Sequence, residues 1–583
     1  MTTADDETAD GAGPGAAATW AGQMREMPET VAGAVLNRSE DTRLGLVAGD
    51  LRLSHAEVAT LAAARSRWLS DRRTMHGPFH VAVLLDNVPE FVFWLQGAAL
   101  TGAVVVGANP THRGDELVRD LTHTECQFLV TDSASLPLLD GARIGDILGT
   151  VTADNPRVLV LDTDEAQDEL ATYGRPDPFE VADRTVDPDD LGYLLFTSGT
   201  SGAPKACLCS QGRLARIGAI VAQMYALTPE DVCYIAMPLF HSNALMAGWG
   251  PALMAGATVA LPTTGRFSAS GFLYDVRTAG ATYFNYVGKP LSYILATPEQ
   301  PDDADNPLVR AFGNEGSADD VARFAERFDV VVTDSYGSTE GGATVQRTPD
   351  TPPGALGRAP EGTVVLDPET GAECPPARFD DRGRLLNAEE AIGELVSKEG
   401  GAGFEGYWRN DDAERARLRE GWYWTGDLAY RDEAGFFYFA GRDHDWLRVD
   451  GENFASAPVE RILSRHPDVV LAAVYAVPDP VVGDQVMASV QLRPGVDALD
   501  GDELATFLAA QDDLGTKWAP RFVRMSASLP ITATNKVVKR ALRAERWNTD
   551  EPVLWQPERG GPYVRMQPED AVALEEAVGD QPI

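Results

Sequence analysis

A loop of hydroxyl-bearing residues and glycines follows an apolar segment near residue 195, and a single lysine closes it. Its sequence over residues 197–205 is TSGTSGAPK. Glycines let backbone N–H groups approach phosphate oxygens, hydroxyls add donors, and a lysine places positive charge where phosphate charge accumulates. The Gly-Lys-Ser/Thr ending of a Walker A loop is missing, because Lys205 follows Pro204. A Gly/Ser surface turn is the plain alternative, but the full string favours a nucleotide triphosphate site.

Further motifs follow in order along the chain. They are DSYGSTEGG at 334–342, WTGDL at 424–428, GR at 441–442 and LPITATNK at 529–536. In type, order and spacing, these motifs and the loop resemble those of the adenylate-forming superfamily, which contains acyl-CoA synthetases, luciferases and the adenylation domains of peptide synthetases. The resemblance covers residues 51–543. In detail, the chain most resembles bacterial, soluble acyl-CoA synthetases of the very-long-chain and fatty-acid-transport branch.

The resemblance implies that an acid attacks the α-phosphorus of ATP, giving an acyl-adenylate and pyrophosphate. Such a step depends on charge neutralisation and alignment, so it needs two cationic centres. The resemblance assigns Lys205 to the departing pyrophosphate and Lys536 to the α-phosphate. It assigns Thr200 and Glu340 to Mg²⁺, which prefers hard oxygen ligands. Solvated surface lysines and a helix-capping glutamate are the structural alternatives.

The nucleoside end of the site is assigned in the same way. Tyr336 is expected against the adenine, with the turn 313–316 on its other face. Asp427 is expected to accept hydrogen bonds from the ribose hydroxyls, with Arg442 as a further donor, although Asp427 also suits a turn after Gly426. The full set of expected nucleotide contacts is Thr197, Ser198, Gly199, Thr200, Ser201, Gly202, Lys205, Gly313, Asn314, Glu315, Asp334, Ser335, Tyr336, Gly337, Ser338, Thr339, Asp427, Arg442 and Lys536.

His241 is expected to line the acid pocket beside the carboxylate and to gate it, which makes it a catalytic candidate, although a lone histidine is more often a satisfied core or surface residue. The polar Asn285, Tyr286 and Lys289 are unusual for a simple alkyl tunnel, so the class of acid stays open. The expected pocket residues are His241, Asn243, Met246, Trp249, Asn285, Tyr286, Val287, Gly288 and Lys289.

Transfer to coenzyme A is expected to follow rotation of a small C-terminal domain about a hinge at 442–445. The pivot position, which is commonly Asp, Lys or Gly in this family, is His444 here, and this makes pH sensitivity of the rotation a hypothesis. Gly451 is similar to the glycine that admits pantetheine in the branch named above. The resemblance therefore implies ATP, Mg²⁺ and coenzyme A as cofactors.

The leading hypothesis is an AMP-forming acid–CoA ligase with a two-step, domain-alternating mechanism. The alternative is adenylation of an aryl acid or a small oxyacid such as nitrite in secondary metabolism, with transfer to an amine and N–N bond formation. A catalytically silent ligand sensor is a third option. The sensor is disfavoured by the joint presence of Thr200, Lys205, Glu340, Asp427, Arg442 and Lys536.

Composition limits the remaining classes of function. The formal net charge is -39, from 49 Lys+Arg against 88 Asp+Glu, which argues against nucleic-acid and anionic-membrane partners. No apolar run reaches the length of a membrane span, and the acidic start is unlike a signal peptide. The five cysteines lack metal-site pairing, so a cytoplasmic location is expected. The sequence leaves the oligomeric state open, and a homodimer is compatible with it.

A length of 583 residues exceeds what one core usually organises. Apolar runs at 81–85, 128–131, 158–161, 193–196, 258–261 and 330–333 predict buried strands, and 89–99 and 212–224 predict helices. This alternation predicts a large, layered α/β domain with parallel sheets. After residue 441 the pattern predicts a smaller, mobile α+β domain, with helices at 457–465 and 502–510 and strands at 469–477 and 488–492. The predicted units are a disordered lead 1–20, an adenylation domain 21–441, a hinge 442–445 and a lid 446–583 whose tail beyond residue 547 wraps a surface.

Overall fold

The computed structural model contains large sheets with helices packed on them, followed by a smaller sheet with its own helices. The residues that it describes are 27–73, 77–112, 114–139, 148, 157–197, 205–316, 318–348, 350–368, 370–380, 385–399, 403–442, 446–449, 452–479, 483–511, 514, 517–532, 537–558 and 560–578.

An eight-stranded sheet carries the central motifs. Its inner strands are parallel, and a short antiparallel strand lies at each edge. Since parallel strands end at the same edge of a sheet, this topology gathers the segments that follow them. In order across the sheet, the strands are Thr344–Val345, Val331–Gly337, Arg310–Asn314, Tyr283–Val287, Val232–Ile235, Thr258–Leu261, Leu44–Ala48 and Leu51–Ser54.

A six-stranded sheet carries the loop 197–205, which is called the phosphate loop because its sequence predicts that it binds phosphate. Its strands are parallel except for the last, which is antiparallel to its neighbour. In order, they are Val158–Val160, Phe128–Thr131, His80–Leu84, Val104–Gly107, Leu191–Thr197 and Lys205–Ser210.

One large hydrophobic core joins these two sheets. It combines Ile235 and Val259 of the first sheet with Val81 and Tyr193 of the second, and all four side chains are almost fully buried. Helices from both sheets contribute Trp68, Trp94 and Leu214 to the same core. The sheets are therefore held in a fixed relation, as a site built from both of them requires.

A five-stranded sheet follows. Its path is Thr363–Leu366, Gly393–Ser397, Trp422–Arg431 and Leu418–Arg419, and Phe437–Arg442 also pairs with Trp422–Arg431.

The last sheet has seven strands. Its path is Glu452–Ala455, Trp446–Val449, Gly483–Leu492, Phe522–Ser526, Val553–Trp555 and Val564–Arg565, and Val469–Asp479 also pairs with Gly483–Leu492. It has a separate core, which includes Val474, Val490, Leu504 and Val523.

Helix ends follow local chemistry. His55–Arg72 begins with a capping box, in which Ser54 and Glu57 bond each other's backbone N–H groups. Pro89–Thr101 begins with a proline and ends at Gly102 in a left-handed conformation. The α-helices are Val31–Arg38, His55–Arg72, Pro89–Thr101, Asp115–His123, Asp164–Thr172, Pro178–Val181, Gln211–Met224, Gly250–Ala255, Phe272–Ala279, Pro290–Leu295, Ala318–Phe328, Ala388–Ala391, Asp411–Arg417, Ser456–Leu463, Gly501–Ala509, Lys539–Glu545 and Pro568–Val578. The others are the 3₁₀-helix Leu136–Leu138 and the π-helix Ala244–Trp249.

The predicted fold class is confirmed: a large N-terminal α/β part precedes a smaller α+β part. The exact domain boundaries stay predictions. The lead 1–20 and hinge residues 443–445 lie outside the described residues. The tail differs in detail from the prediction, because Val553–Trp555 and Val564–Arg565 extend the last sheet by pairing rather than only wrapping its surface. Among the helices of the described residues, none is long and apolar enough to cross a bilayer.

Candidate active site

The phosphate loop connects two antiparallel strands, Leu191–Thr197 and Lys205–Ser210, in which Thr197 is paired with Lys205. The two ends of the loop are therefore held together by the sheet. The short strand also separates the loop from helix Gln211–Met224, which corresponds to the helix predicted at 212–224. The predicted phosphate contacts that lie outside the described residues are Ser198, Gly199, Thr200, Ser201 and Gly202.

Lys205 lies close to the predicted metal ligand Glu340. Burial lowers the pKa of the Lys205 ammonium, the neighbouring Arg417 guanidinium lowers it further, and Glu340 raises it. The structure thus brings together a lysine predicted to bind pyrophosphate and a glutamate predicted to bind the metal, although the two are far apart in sequence. The same place also holds Arg417, which the sequence analysis did not single out.

Glu340 is nearly buried, with 8% of its surface exposed. Its Oε1 accepts a hydrogen bond of 2.8 Å from the Tyr407 hydroxyl. Tyr407 is held there because the backbone on each side of it bonds strand Lys205–Ser210, through Leu208 N to Gly406 O and Trp408 N to Ala206 O. A single oriented carboxylate suits Mg²⁺, which binds proteins through one or two carboxylates and completes its shell with phosphates and water.

Asp427 and Tyr336 meet at the other end of the site. The Tyr336 hydroxyl donates a hydrogen bond of 2.6 Å to Asp427 Oδ2, and Asp427 N bonds Thr425 Oγ1 at 3.1 Å. Asp427 is also paired across the sheet with Arg442, whose backbone is described. The Asp427 carboxylate, which is expected to bind the ribose, is therefore oriented by Tyr336, whose ring is expected to lie against the adenine. The sequence analysis did not anticipate this hydrogen bond.

Asp334 is bonded inside the protein. Its Oδ2 accepts hydrogen bonds from Gly316 N at 2.8 Å and from the Tyr286 hydroxyl at 2.9 Å. Burial raises the pKa of Asp334 to about 7. Asp334 thus fixes the turn that was expected beside the adenine, and Tyr286, expected in the acid pocket, is its partner.

The turn expected beside the adenine begins later than predicted, because strand Arg310–Asn314 includes Gly313 and Asn314. Asn314 Nδ2 donates to Ser335 O at 2.8 Å and contacts Ser335 Oγ at 3.1 Å. Glu315 is exposed and has a φ of 65°, so the chain turns sharply there.

Arg213 contacts the TEG part, residues 339–341, of the motif DSYGSTEGG. It is 1% exposed, and its Nη2 donates to Thr339 O at 2.6 Å. Thr339 Oγ1 is also 2.7 Å from Ser242 Oγ. These bonds connect segment 337–340, which contains Gly337, Ser338 and Glu340, to helix Gln211–Met224 and to Ser242, the residue after His241.

His241 lies at the start of a chain of polar contacts. Its Nδ1 accepts a hydrogen bond of 3.2 Å from Asn243 N, which leaves Nε2 as the protonated nitrogen of the neutral ring. Asn285 Nδ2 donates to Asn243 Oδ1 at 2.7 Å, and Asn243 Nδ2 contacts Tyr286 O at 3.3 Å. Asn285 and the backbone of Tyr286, two of the polar positions noticed in the expected pocket, are therefore linked through Asn243.

The other expected pocket residues lie in a short helix after His241 and at the end of strand Tyr283–Val287. Met246 and Trp249 lie in the π-helix Ala244–Trp249, a form that is frequent at functional sites. Trp249 is fully buried in the core between the large sheets. Val287, Gly288 and Lys289 follow one another at the end of strand Tyr283–Val287. Their contact with an acid stays a prediction.

Glu394 was also missed by the sequence analysis. It is 4% exposed, and its Oε1 accepts a 2.6 Å hydrogen bond from Gly426 N, so it fixes the turn before Asp427. Glu394, Tyr407, Arg213 and Arg417 all lie outside the motifs, where no local spacing distinguishes them.

Lys536, Gly451 and His444 lie outside the described residues, so their roles stay predictions.

Comparison with protein families gives two matches. The model of the AMP-binding enzyme family matches residues 34–408, and that of the AMP-binding enzyme C-terminal domain matches residues 458–536.

Individual relatives cover nearly the whole chain. Steroid-22-oyl-CoA synthetase of Rhodococcus jostii is 52% identical over 549 residues, which are 94% of this chain and 97% of the relative. Medium/long-chain-fatty-acid–CoA ligase FadD17 of Mycobacterium tuberculosis is 47% identical over 524 residues, 90% of this chain and 98% of the relative. The crystal structure of the anthranilate CoA ligase AuaEII with anthranoyl-AMP shares the fold, with a TM-score of 0.74, 21% identity, and coverage of 89% and 98% of the two chains.

Proposed function

We propose that this chain, which belongs to the AMP-binding enzyme family and is an ATP-dependent acid–CoA ligase, acts on a steroid whose shortened side chain ends in a carboxylate at carbon 22. The observation that supports this substrate is the 52% identity to a steroid-22-oyl-CoA synthetase across 94% of the chain.

The site residues then take the following roles in the first step. An oxygen of the steroid carboxylate attacks the α-phosphorus of ATP, the bond to the β-phosphate breaks, and pyrophosphate leaves. Asp427, oriented by Tyr336, binds the ribose, and Lys205 stabilises the charge on the leaving pyrophosphate. Glu340 and Thr200 would hold Mg²⁺, which neutralises phosphate charge when bound. Lys536 contacts the α-phosphate in the transition state.

In the second step the coenzyme A sulfur bonds the acyl carbon and the thiol proton passes to water, while AMP leaves with the electron pair of the broken acyl–oxygen bond. Gly451 gives the pantetheine arm access. His241, whose Nε2 carries the proton, faces the carboxylate and gates the pocket. We also place this enzyme in the cytoplasm, where its five free cysteines remain reduced. Light scattering tests whether it forms a homodimer.

A medium- or long-chain fatty acid is the second candidate substrate, since the 47% identical relative is named for such acids. We do not propose the nitrite or amine-transfer alternative, because relatives at 47–52% identity over 90% or more of the chain are CoA ligases.

Pyrophosphate release and thioester formation distinguish these substrates. The panel contains a steroid-22-oic acid, dodecanoic and hexadecanoic acids, an aryl acid and nitrite, each with and without coenzyme A. We expect the highest kcat/KM, and a thioester product, with the steroid acid. A higher kcat/KM with a fatty acid would replace the steroid by the second candidate, and turnover without thioester would overturn the ligase.

Variants connect that activity to the site. Asp427→Asn should remove most pyrophosphate release with every acid. Asp412→Asn changes an aspartate whose side chain is 93% exposed, and it should leave the panel unchanged. Equal loss in both variants would dissociate the activity from the proposed nucleotide site.

A further inference from the structure

Arg417 extends from the end of helix Asp411–Arg417 towards the Thr-Gly-Asp turn. Its Nη1 lies 3.4 Å from Trp424 O, and the guanidinium packs so closely on Gly426 that a Cβ atom there would collide with it. Gly426 has a φ of 70°, so glycine is favoured both by backbone conformation and by this contact. The Arg417 side chain is therefore confined beneath the residue that precedes Asp427.

The other neighbours of Arg417 belong to the phosphate end of the site. Burial and then Glu340 raise the pKa of the Tyr407 hydroxyl, whereas its interaction with the Arg417 guanidinium lowers it. The Tyr407 hydroxyl in turn donates to Glu340 at 2.8 Å. Arg417 also acts on Lys205 across the same space. One guanidinium thus lies beside the expected phosphate lysine and the expected metal ligand.

Within this group, one carboxylate interacts with two cations. Glu340 acts electrostatically on both Arg417 and Lys205, and it is also the acceptor for Tyr407. Two cations share this one carboxylate in a partly buried space, where water screens them poorly. Such a group favours a polyanion, and a planar guanidinium can bond two phosphate oxygens at once.

We propose that Arg417 is a second phosphate-binding cation of the site, which together with Lys205 binds the β- and γ-phosphates of ATP and the pyrophosphate that leaves. This inference rests on the proposed reaction, because it needs ATP as the bound nucleotide. It makes Arg417 the residue that connects the two ends of the site, since the guanidinium that packs on the Gly426 turn would also bind the phosphates.

The test compares ligands that share or lack those phosphates. Dissociation constants for ATP, AMP and pyrophosphate are measured by calorimetry, without any acid, in wild type, Arg417→Gln and Arg417→Lys. We expect Arg417→Gln to weaken ATP and pyrophosphate about 10- to 100-fold, as for loss of a charged hydrogen bond. AMP should change less than about twofold, and Arg417→Lys should recover part of the loss. The control is Arg419→Gln, which removes an exposed guanidinium 4.8 Å from the Trp424 ring.

A merely structural Arg417 would support the Gly426 turn and Asp427, so its loss would weaken AMP as much as ATP. Equal weakening, or unchanged ATP affinity, overturns the proposal. If Arg417→Gln does not fold, Arg417→Lys decides: it must weaken ATP and pyrophosphate more than AMP, and an equal effect overturns the proposal. Wild-type binding of ATP without acid keeps this test separate from the identity of the substrate, and failure of wild type to bind ATP would instead refute the proposed function.

Discussion

The proposed nucleoside end of the site contains Asp427, Tyr336 and Asp334, and the proposed phosphate end contains Lys205, Arg417 and Glu340. The two ends are built differently. At the nucleoside end, Asp427 accepts from Tyr336, and Asp334 accepts from Gly316 and Tyr286. These are short hydrogen bonds from neutral donors, and they hold each acceptor within the protein. At the phosphate end, Lys205 and Arg417 are cations that both interact with the carboxylate of Glu340, an arrangement that favours an added anion.

This difference has a mechanistic meaning. A nucleoside end that is organised in advance binds ATP, the acyl-adenylate and AMP alike, so it cannot favour one step over another. A phosphate end with excess positive charge binds ATP and pyrophosphate but gives no advantage to AMP. Discrimination between substrates and products should therefore reside at the phosphate end, and variants at the two ends should have separable effects.

The largest effect is expected where the two ends meet, at the α-phosphate. Lys536→Ala should lower the rate of adenylation about 10³-fold, because it removes charge stabilisation of the transition state, while ATP affinity changes little. Rapid-quench measurement of acyl-adenylate gives the rate, and calorimetry gives the affinity. Lys539→Ala is the matched control, since Lys539 bonds Ser456 and Glu460 instead. A parallel loss of ATP affinity would mean that the phosphate end is completed by the lid.

The next effect concerns Asp334, whose pKa is raised to about 7 by burial. Between pH 4 and 7 the folded protein keeps a proton that the unfolded chain releases, so this contribution to stability is lost as pH rises towards 7. Asp334→Asn keeps an acceptor for Gly316 and Tyr286 but cannot titrate. From pH 5 to 8, wild type should lose about 3 kcal/mol of unfolding free energy relative to the variant.

Urea unfolding of both proteins at each pH measures this difference. A constant difference between them would mean that Asp334 titrates normally, and the nucleoside end would then contain a second charged carboxylate besides Asp427.

Asp427→Asn should weaken ATP and AMP equally, by about 30-fold, because a charged acceptor for the ribose is lost while the phosphates are untouched. Calorimetry with both nucleotides measures the ratio of the two losses. A loss confined to ATP would contradict the separation of the two ends.

The smallest effect is expected for Tyr407→Phe, which removes the 2.8 Å hydrogen bond to Glu340. Glu340 loses its orientation but keeps its charge, so the Mg²⁺ concentration for half-maximal adenylation should rise about fivefold, as for one hydrogen bond. Tyr438→Phe is the control, because the Tyr438 hydroxyl bonds Asp432 elsewhere in the chain. An unchanged Mg²⁺ requirement would separate Tyr407 from the metal ligand.

Much of the fold could be predicted from the sequence, because buried strands are short apolar runs between glycines, prolines and acids. The runs at 81–85 and 258–261 correspond to strands His80–Leu84 and Thr258–Leu261. The helix predicted at 502–510 is Gly501–Ala509. These are local signals, in which a segment's own residues decide its conformation.

The contacts that complete the site could not be predicted in this way. Tyr407 bonds Glu340 from 67 positions away, and Arg213 bonds Thr339 from 126. Each of these residues is ordinary for its own element, and only the packing of the sheets gives it a partner. The motifs located the phosphate loop and Asp427, but the residues that orient them come from segments with no recognisable pattern.

The pairing of Val553–Trp555 with Phe522–Ser526 has a practical consequence for the protein in solution. Phe522 and Trp555 stack with ring centroids 6.1 Å apart, so the tail covers both the backbone and an aromatic side chain of that strand. Removing residues after 550 would leave the strand's hydrogen-bonding groups and this aromatic surface uncovered. Open strands of this kind join those of other molecules, so shortened versions of this enzyme are expected to aggregate even where their catalytic motifs are intact.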